Sequence, residues 1–387
     1  MSRGSVFNRG TKDRPNYTIN IDRGKDPVTG KRRRDWYSGF ETKKEAEHAR
    51  TRLLNELDTG RYVEPTKLTV KDLLEEWGAM TAETVRKSTW EAYQANIRLH
   101  VSPTIGGVKL QDLTAGRLNS LYRQLLAQGR QDGKGGLSVK TVRNIHVCLH
   151  SALAYAAKNN LVVKNVATDA SPPRLPGFAG KEMRTWSADQ LRHFLTIIAE
   201  DRHYAAYLLA ATTGMRRGEV LGLRWEDVDL EAKTASVRQT LISVAYTIQV
   251  SEPKTPRSKR CIALDIYTVA ALAAHKTNQE KDRQKVEPAY QQTGYVFTTE
   301  QGQPLHPDLF SKHFDCLVKK SGLPRIRLHD LRHTAATLAL RQGIHPKVVS
   351  ERLGHSTISM TLDLYSHAVP ALQQEAADRL AALVFES

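Results

Sequence analysis

The sequence predicts a multidomain chain: a small β-sheet-plus-helix unit, then an all-α unit, then a mixed α/β, mainly helical unit. Three observations carry that expectation. The length of 387 residues exceeds one typical domain and fits two or three. Strand-like runs occur only before residue 41 and in the third unit, mainly at about 235–263, whereas the stretches between carry apolar residues at spacings of three and four. Breaker residues gather where the pattern changes, most clearly in Ser171-Pro172-Pro173-Arg174-Leu175-Pro176-Gly177.

The first unit spans 1–64. Tyr17-Thr18-Ile19-Asn20-Ile21 reads as a strand, Asp26-Pro27-Val28-Thr29-Gly30 as a turn, and residues 34–40 as the returning strand. Thr42 with Glu45 three residues on is a capping box opening a helix that Gly60 ends. The second unit, 65–172, is expected to hold helices at 68–80, 88–101, 114–128 and 138–159. The last carries Val142, Ile145, Leu149, Ala152, Leu153 and Ala156 on one stripe. Residues 173–184 read as a linker. In the third unit, 185–387, Ser187 and Gln190 form another capping box, opening a helix to about Glu200. Helices follow through Leu230, strands at about 235–263, then mostly helix to Leu383, with Val296-Phe297 as a lone short strand. No G-x-G-x-x-G and no Walker sequence is present, so nothing points to nucleotide use.

A net charge of +16 and a pI near 9.7 mark a partner that is a polyanion. The excess is uneven. Residues 1–65 carry 15 Lys and Arg against 10 Asp and Glu, and 66–175 carry 15 against 8, while 176–387 carry 27 against 23. The positive charge thus lies mainly in the first two units. Cys148, Cys261 and Cys316 are odd in number and widely spaced, which fits a reducing compartment and neither disulfides nor a thiolate zinc site. No apolar signal segment opens the chain and no run reaches 18 apolar residues, so a cytoplasmic protein without membrane contact is expected.

Three segments of the third unit carry chemistry. They are Thr213-Gly214-Met215-Arg216-Arg217-Gly218-Glu219, His329-Asp330-Leu331-Arg332-His333, and Leu353-Gly354-His355 followed ten residues later by Tyr365. A phenol attacks phosphorus poorly unless its proton leaves and the growing phosphate charge is neutralised. Arginine suits the second task because its planar fork grips two phosphate oxygens and keeps its charge. His329 and Arg332, three apart, project from one helical face. His333 shares that face, and His-x-x-x-His is also a metal-ligand spacing. The zincin glutamate is replaced by Asp330 and no further ligand stands out, so His333 is expected to pack or hydrogen-bond and no metal is expected.

In these segments the chain resembles the tyrosine recombinases of the phage-integrase family, whose patterns T-G-x-R-x-x-E, H-x-x-R and L-G-H plus a late tyrosine match at 213–219, 329–332 and 353–365. The resemblance implies the roles. Tyr365 would be the nucleophile, Arg216 and Arg332 the phosphate clamp assisted by His355, His329 the general base, and Glu219 a support. The family keeps a general-acid lysine in a hairpin between the first two patterns. Lys254, in Glu252-Pro253-Lys254-Thr255-Pro256, fits it best, with Lys259 the competitor. No metal, cofactor or ATP is implied. The resemblance further implies an arm-type DNA-binding domain at 1–64, whose three-stranded sheet lies in a major groove, with Arg23, Lys25, Lys31, Arg32, Arg33 and Arg34 as its candidate DNA contacts; for these a solvated basic turn is the plainer alternative. It implies a helical core-binding domain at 65–172 and a catalytic domain at 185–387. Its expected partners are double-stranded attachment sites of core and arm type, three sister protomers in a tetramer, an excisionase and a host DNA-bending protein. The expected activity is integration and excision of a phage or other mobile element. Type IB topoisomerase action, chromosome-dimer resolution and a catalytically silent DNA-binding regulator are the alternatives. Beyond Pro370, Leu372, Ala376, Leu380 and Leu383 form a stripe that packs either on its own domain or, as in the family, on a neighbouring protomer.

Overall fold

The computed structural model describes residues 4–11, 14–25, 29–59, 62–175, 184–252, 259–355, 357–359, 361–362, 377–378, 380–382 and 384–385. It divides into two compact units, Met1–Gly177 and Phe178–Ser387.

The first unit opens with an antiparallel sheet of β1 (Gly4–Asn8), β2 (Tyr17–Lys25) and β3 (Arg32–Phe40), in that spatial order, followed by α1 (Lys43–Asp58). The register sets Val6 and Tyr37 on either side of Ile19, so one sheet face presents Val6, Ile19, Ile21 and Tyr37 to Ala46, Ala49 and Leu53 of α1. Thr42 caps α1 by accepting the Glu45 N–H at 3.2 Å, and the helix ends on Thr59; Gly60, expected to end it, lies outside the described residues, as does most of the Asp26–Gly30 turn. β1 has no counterpart among the expected strands, because five residues hold too few alternations to declare themselves.

Residues beyond 65 are helical as the spacing predicts. They form α2 (Val70–Thr84), α3 (Lys87–Asn96), α4 (Ser102–Ile105), α5 (Ala115–Gln128) and α6 (Val139–Lys158). Ser138 and Thr114 cap their helices through Thr141 and Arg117 N–H groups. The helix expected to start at Leu68 starts at Val70 instead, since Thr69 and Asp72 exchange capping bonds. The stripe on α6 closes on Leu73, Trp77, Leu118, Leu121 and Tyr122 in one core.

The second unit begins with α7 (Ala188–Ile197), opened by the expected Ser187–Gln190 capping box, and continues through α8 (Tyr204–Thr213) and α9 (Arg217–Leu221). α8 is apolar nearly all round, buries Ala205 to Ala211, and packs against α10 (Ile266–Val286) and α12 (Leu328–Arg341). Between α9 and α10 lie β4 (Val228–Asp229), β5 (Thr234–Val237), β6 (Thr240–Val244), β7 (Thr247–Ser251) and β8 (Arg260–Ala263). α11 (Pro307–Lys320) precedes α12, and α13 (Pro346–Leu353) follows it.

Three expectations here need correction. Helix does not run to Leu230, because Val228–Asp229 pairs with β5. Val296-Phe297 is not a strand; it is a wholly buried turn flanked by single bridges at Tyr295 and Thr298. Nor are the strands flanking Lys254 partners of each other. β7 pairs with β6 and β8 with β5, so residues 252–259 connect a two-stranded ribbon to a three-stranded sheet.

Phe194 is fully buried between Trp186, Tyr207 and Phe314. Phe194→Ala is expected to destabilise the second unit by about 3–5 kcal/mol through lost burial and the cavity left behind. Calorimetry should show one unfolding transition displaced and the transition of the first unit unmoved.

Candidate active site

The three motif segments converge in the second unit, and two glycines make this possible. Gly214 ends α8 with φ 68°, and a Cβ there would stand 2.4 Å from Cδ2 of Leu353; Gly354 ends α13 with φ 66°. Both left-handed turns release carbonyls towards arginines. Arg332 donates from Nη1 to the Gly214 carbonyl at 2.7 Å, and Arg216 donates from Nη2 to the Gly354 carbonyl at 3.1 Å.

Glu219 organises the first segment. Its Oε1 accepts from Arg216 Nη1 at 2.7 Å, and its Oε2 accepts the Arg216 backbone N–H at 2.9 Å and Arg260 Nη2 at 2.9 Å. Burial by itself would raise this carboxyl, but the bond and charge of Arg260 and the backbone bond and charge of Arg216 outweigh it and hold the pKa below the ordinary carboxylate value. The neighbouring Arg217 turns away, donating to Asp308, Ser311 and the Pro307 carbonyl. Position 216, not 217, therefore faces the cleft.

Arg332 is 4% exposed, and among the described residues its Nη2 has no hydrogen-bond partner. Burial, then repulsion from Arg216, partly countered by Glu219, and from Arg260, lowers its pKa to about 9. A buried cation with an idle donor is costly and calls for an anion. His355 bonds through Nδ1 to Thr361 Oγ1 at 2.8 Å; burial first, then Arg332, Arg216, His333 and Arg260, lowers it to about 4. His329 meets His333 edge to face at 5.0 Å. Partial burial, His333 and Arg332 shift it the same way, although the residue as a whole is exposed. His333 packs against His329, yet among the described residues its Nδ1 is buried without a hydrogen-bond partner. Among the described residues no cluster of three His, Cys, Asp or Glu side chains could hold a metal ion. The arrangement is that of an anion-binding cleft built from arginines.

Tyr365 and Lys254 lie outside the described residues; Lys259 is exposed just before β8. Arg260 was missed from the sequence, and nothing in its local pattern would have found it. In the first unit, Lys25, Lys31, Arg32, Arg33 and Arg34 are exposed, with Arg32 paired to Asp22 at 2.8 Å. Arg23 is placed differently from the others. It shares the parity of Ile19 and Ile21, lies at the register shift between Asp22 and Gly24, and is stacked over Tyr62 and paired with Asp35 and Glu64 at 3.3 Å each. The outward face instead carries Phe7 and Trp36, about half exposed, with Arg9 over the Trp36 ring at 4.3 Å, a cluster not foreseen from sequence.

The geometry defines a class, an arginine cluster suited to an anion and assembled from separated segments, and comparison supplies the family. Residues 184–371 match the phage integrase family, 69–126 its N-terminal SAM-like domain, and 7–57 an arm DNA-binding domain. The chain belongs to the phage integrase family and is a tyrosine recombinase. It is 28% identical to a XerC-like tyrosine recombinase of Caldanaerobacter subterraneus, over 94% of this chain and 95% of the relative. It is 27% identical to the ICEBs1 integrase of Bacillus subtilis, over 94% and 96%. In fold it resembles the Tn1549 transposon integrase solved with transposon right end DNA, with TM-score 0.67 and 24% identity over 81% of this chain and all of that one. Lambda integrase bound as a dimer to a core site aligns over 93% of each chain with TM-score 0.55.

The depressed histidines make stability pH-dependent. His355 and the half-buried His203 have pKa values of about 4 when folded against 6.5 when unfolded, so on acidification the unfolded chain takes up protons first. Their contribution is complete above pH 6.5 and is lost between 6.5 and 4. The Tm of the second unit should fall across that window, and less steeply in His355→Asn. A flat profile would contradict the half-buried, neutral histidines.

Proposed function

We propose that this recombinase cuts and rejoins DNA by metal-free transesterification, with Tyr365 attacking a phosphodiester to leave a 3′-phosphotyrosyl link and a free 5′-hydroxyl. That hydroxyl then attacks the equivalent link on a partner strand. Because bond energy is conserved, no ATP is required. The idle Nη2 of buried Arg332, in a cleft shared with Arg216 and His355, is the observation that carries the reading. Arg216 and Arg332 neutralise the charge that grows on the pentavalent phosphate, His355 donates to a non-bridging oxygen, and Glu219 orients Arg216. His329, neutral at pH 7, takes the phenolic proton, and Lys254 protonates the departing 5′-oxygen.

Residues 1–64 then bind arm-type sites through the exposed basic hairpin, 65–172 close over the core-site duplex, and 185–387 carry the chemistry. The integrase names of the relatives and the transposon-end DNA bound by the structural neighbour support integration and excision of a mobile element as the task. A tetramer of lambda integrase has been seen on a Holliday junction, which supports four protomers acting in pairs, with the tail beyond Pro370 passed between neighbours. An excisionase and a host bending protein would set direction, and the substrate places the work in the cytoplasm.

Tyr365→Phe should bind core DNA yet form no covalent adduct on a nicked attachment-site duplex, because only the attacking oxygen is gone. EDTA should leave wild-type adduct formation intact. An adduct from the Phe variant, or EDTA inhibition reversed by a divalent ion, would refute the assignment.

Lys254→Ala should slow cleavage severely and regain speed on a substrate with sulfur at the 5′-bridging position, since a thiolate leaves without an acid. Rescue of Lys259→Ala but not Lys254→Ala would transfer the role to Lys259.

A further inference from the structure

Arg260 stands outside the motifs and opens β8, directly after the segment that carries Lys254 and Lys259. Its side chain is 8% exposed, as enclosed as a core residue. Nη2 reaches Glu219 Oε2 at 2.9 Å, and Nε reaches the Arg352 carbonyl at 2.8 Å. The guanidinium lies so close against the α13 terminus that a Cβ on Gly354 would stand 2.9 Å from Nη1. One side chain, on the strand that follows the lysine segment, therefore touches the first motif and the turn that carries the third.

We infer that Arg260 is a positioning residue for strand cleavage, holding the Glu219 carboxylate and the Arg352–Gly354 turn so that Arg216 and His355 keep their aim on the phosphate. The inference rests on the recombinase reading above and assigns this arginine a part in it. The two buried arginines divide the work by their donors. Among the described residues Arg332 has an Nη2 without a partner, which it can offer a phosphate, whereas Arg260 has Nε and Nη2 committed to protein oxygens.

Charge favours the same division. Arg216, Arg260 and Arg332 gathered around Glu219 leave two net positive charges with the histidines neutral. A phosphodiester carries one negative charge, and its pentavalent transition state carries two. The cluster thus matches the transition state better than the ground state, the condition for faster chemistry and not merely tighter binding. Without Arg260, Glu219 would cancel Arg216 more completely and lose a partner. A buried carboxylate facing fewer cations shifts upward. The groups that face it from the packed elements would then be Arg216 at the start of α9 and Arg332 on α12, with His355 after α13 and His333 on α12 titrating in the same cleft.

The test is single-turnover adduct formation between pH 5.5 and 8.5 by the full chain, on a nicked duplex copied from the joined ends of the element that encodes it. Arg260→Gln is expected to retain core-site binding in a gel shift and to cleave roughly 10- to 100-fold more slowly, as when an orienting partner is lost. Its rate should also fall on the acid side where wild type stays level. That fall should vanish in the Arg260→Gln, Glu219→Gln double variant, which has no carboxylate left to protonate; His355 and His333 are common to all three proteins. Arg260→Lys, which keeps charge without the fork, should follow the wild-type pH profile at an intermediate rate, and it serves if the Gln variant does not fold. An unchanged rate, or a loss independent of pH that simply follows a lowered Tm, would overturn the inference. Wild-type protein that binds the duplex but forms no adduct would instead overturn the recombinase reading itself.

Discussion

Bringing several guanidinium groups together without an anion is electrostatically unfavourable, and the buried Glu219 carboxylate makes it tolerable here. One carboxylate accepts from two arginines and a backbone N–H, so it stays ionised at 4% exposure and lends its charge to its neighbours. It does not cancel them. Arg332 remains depressed by burial and by Arg216 and Arg260, and His355 is kept neutral by burial and the same three cations. A phosphate would relieve all of these at once. The cluster therefore carries repulsion among its own side chains that a bound anion would relieve, with donors already held in place by the protein.

That arrangement depends on two helix ends. Positive φ at Gly214 and Gly354 lets α8 and α13 stop abruptly, and the carbonyls thereby freed anchor Arg332 and Arg216 across the cleft. The close approach of Gly214 to Leu353 leaves no room for a β-carbon, so the glycine in the first motif is held by the leucine of the third. Behind them, the almost wholly apolar α8 is packed on α10 and α12 and gives the site a rigid floor.

The first unit shows a different use of arginine. Arg32, Arg33 and Arg34 are exposed on the returning strand, while Arg23 is drawn under the sheet to Tyr62, Asp35 and Glu64. There it ties the strand to the segment leaving α1, where Gln111 also donates to the Glu64 carbonyl at 2.8 Å. Its charge is answered within the protein, unlike that expected at a DNA-facing tip. It shares the period-two parity of Ile19 and Ile21, whose side chains are buried in the core of this unit.

The order of the units, most helix spans, the Ser187 capping box and the three motifs are legible in the sequence because each is a short-range pattern. Capping needs residues three apart, a helix face needs three and four, and Glu219 reaches Arg216 within one turn. Membership of the family rests on the same local strings. What only the tertiary structure decided involves partners far apart in the chain. Arg260 meets Glu219 across 41 positions and Arg332 meets Gly214 across 118. The turning of Arg217 towards α11, the pairing of β7 with β6 and not β8, and the idle donor on Arg332 are equally invisible in a local window. Local hydrogen-bonding rules make the elements; which charged side chain ends beside which depends on how those elements pack, and no spacing along the chain records that.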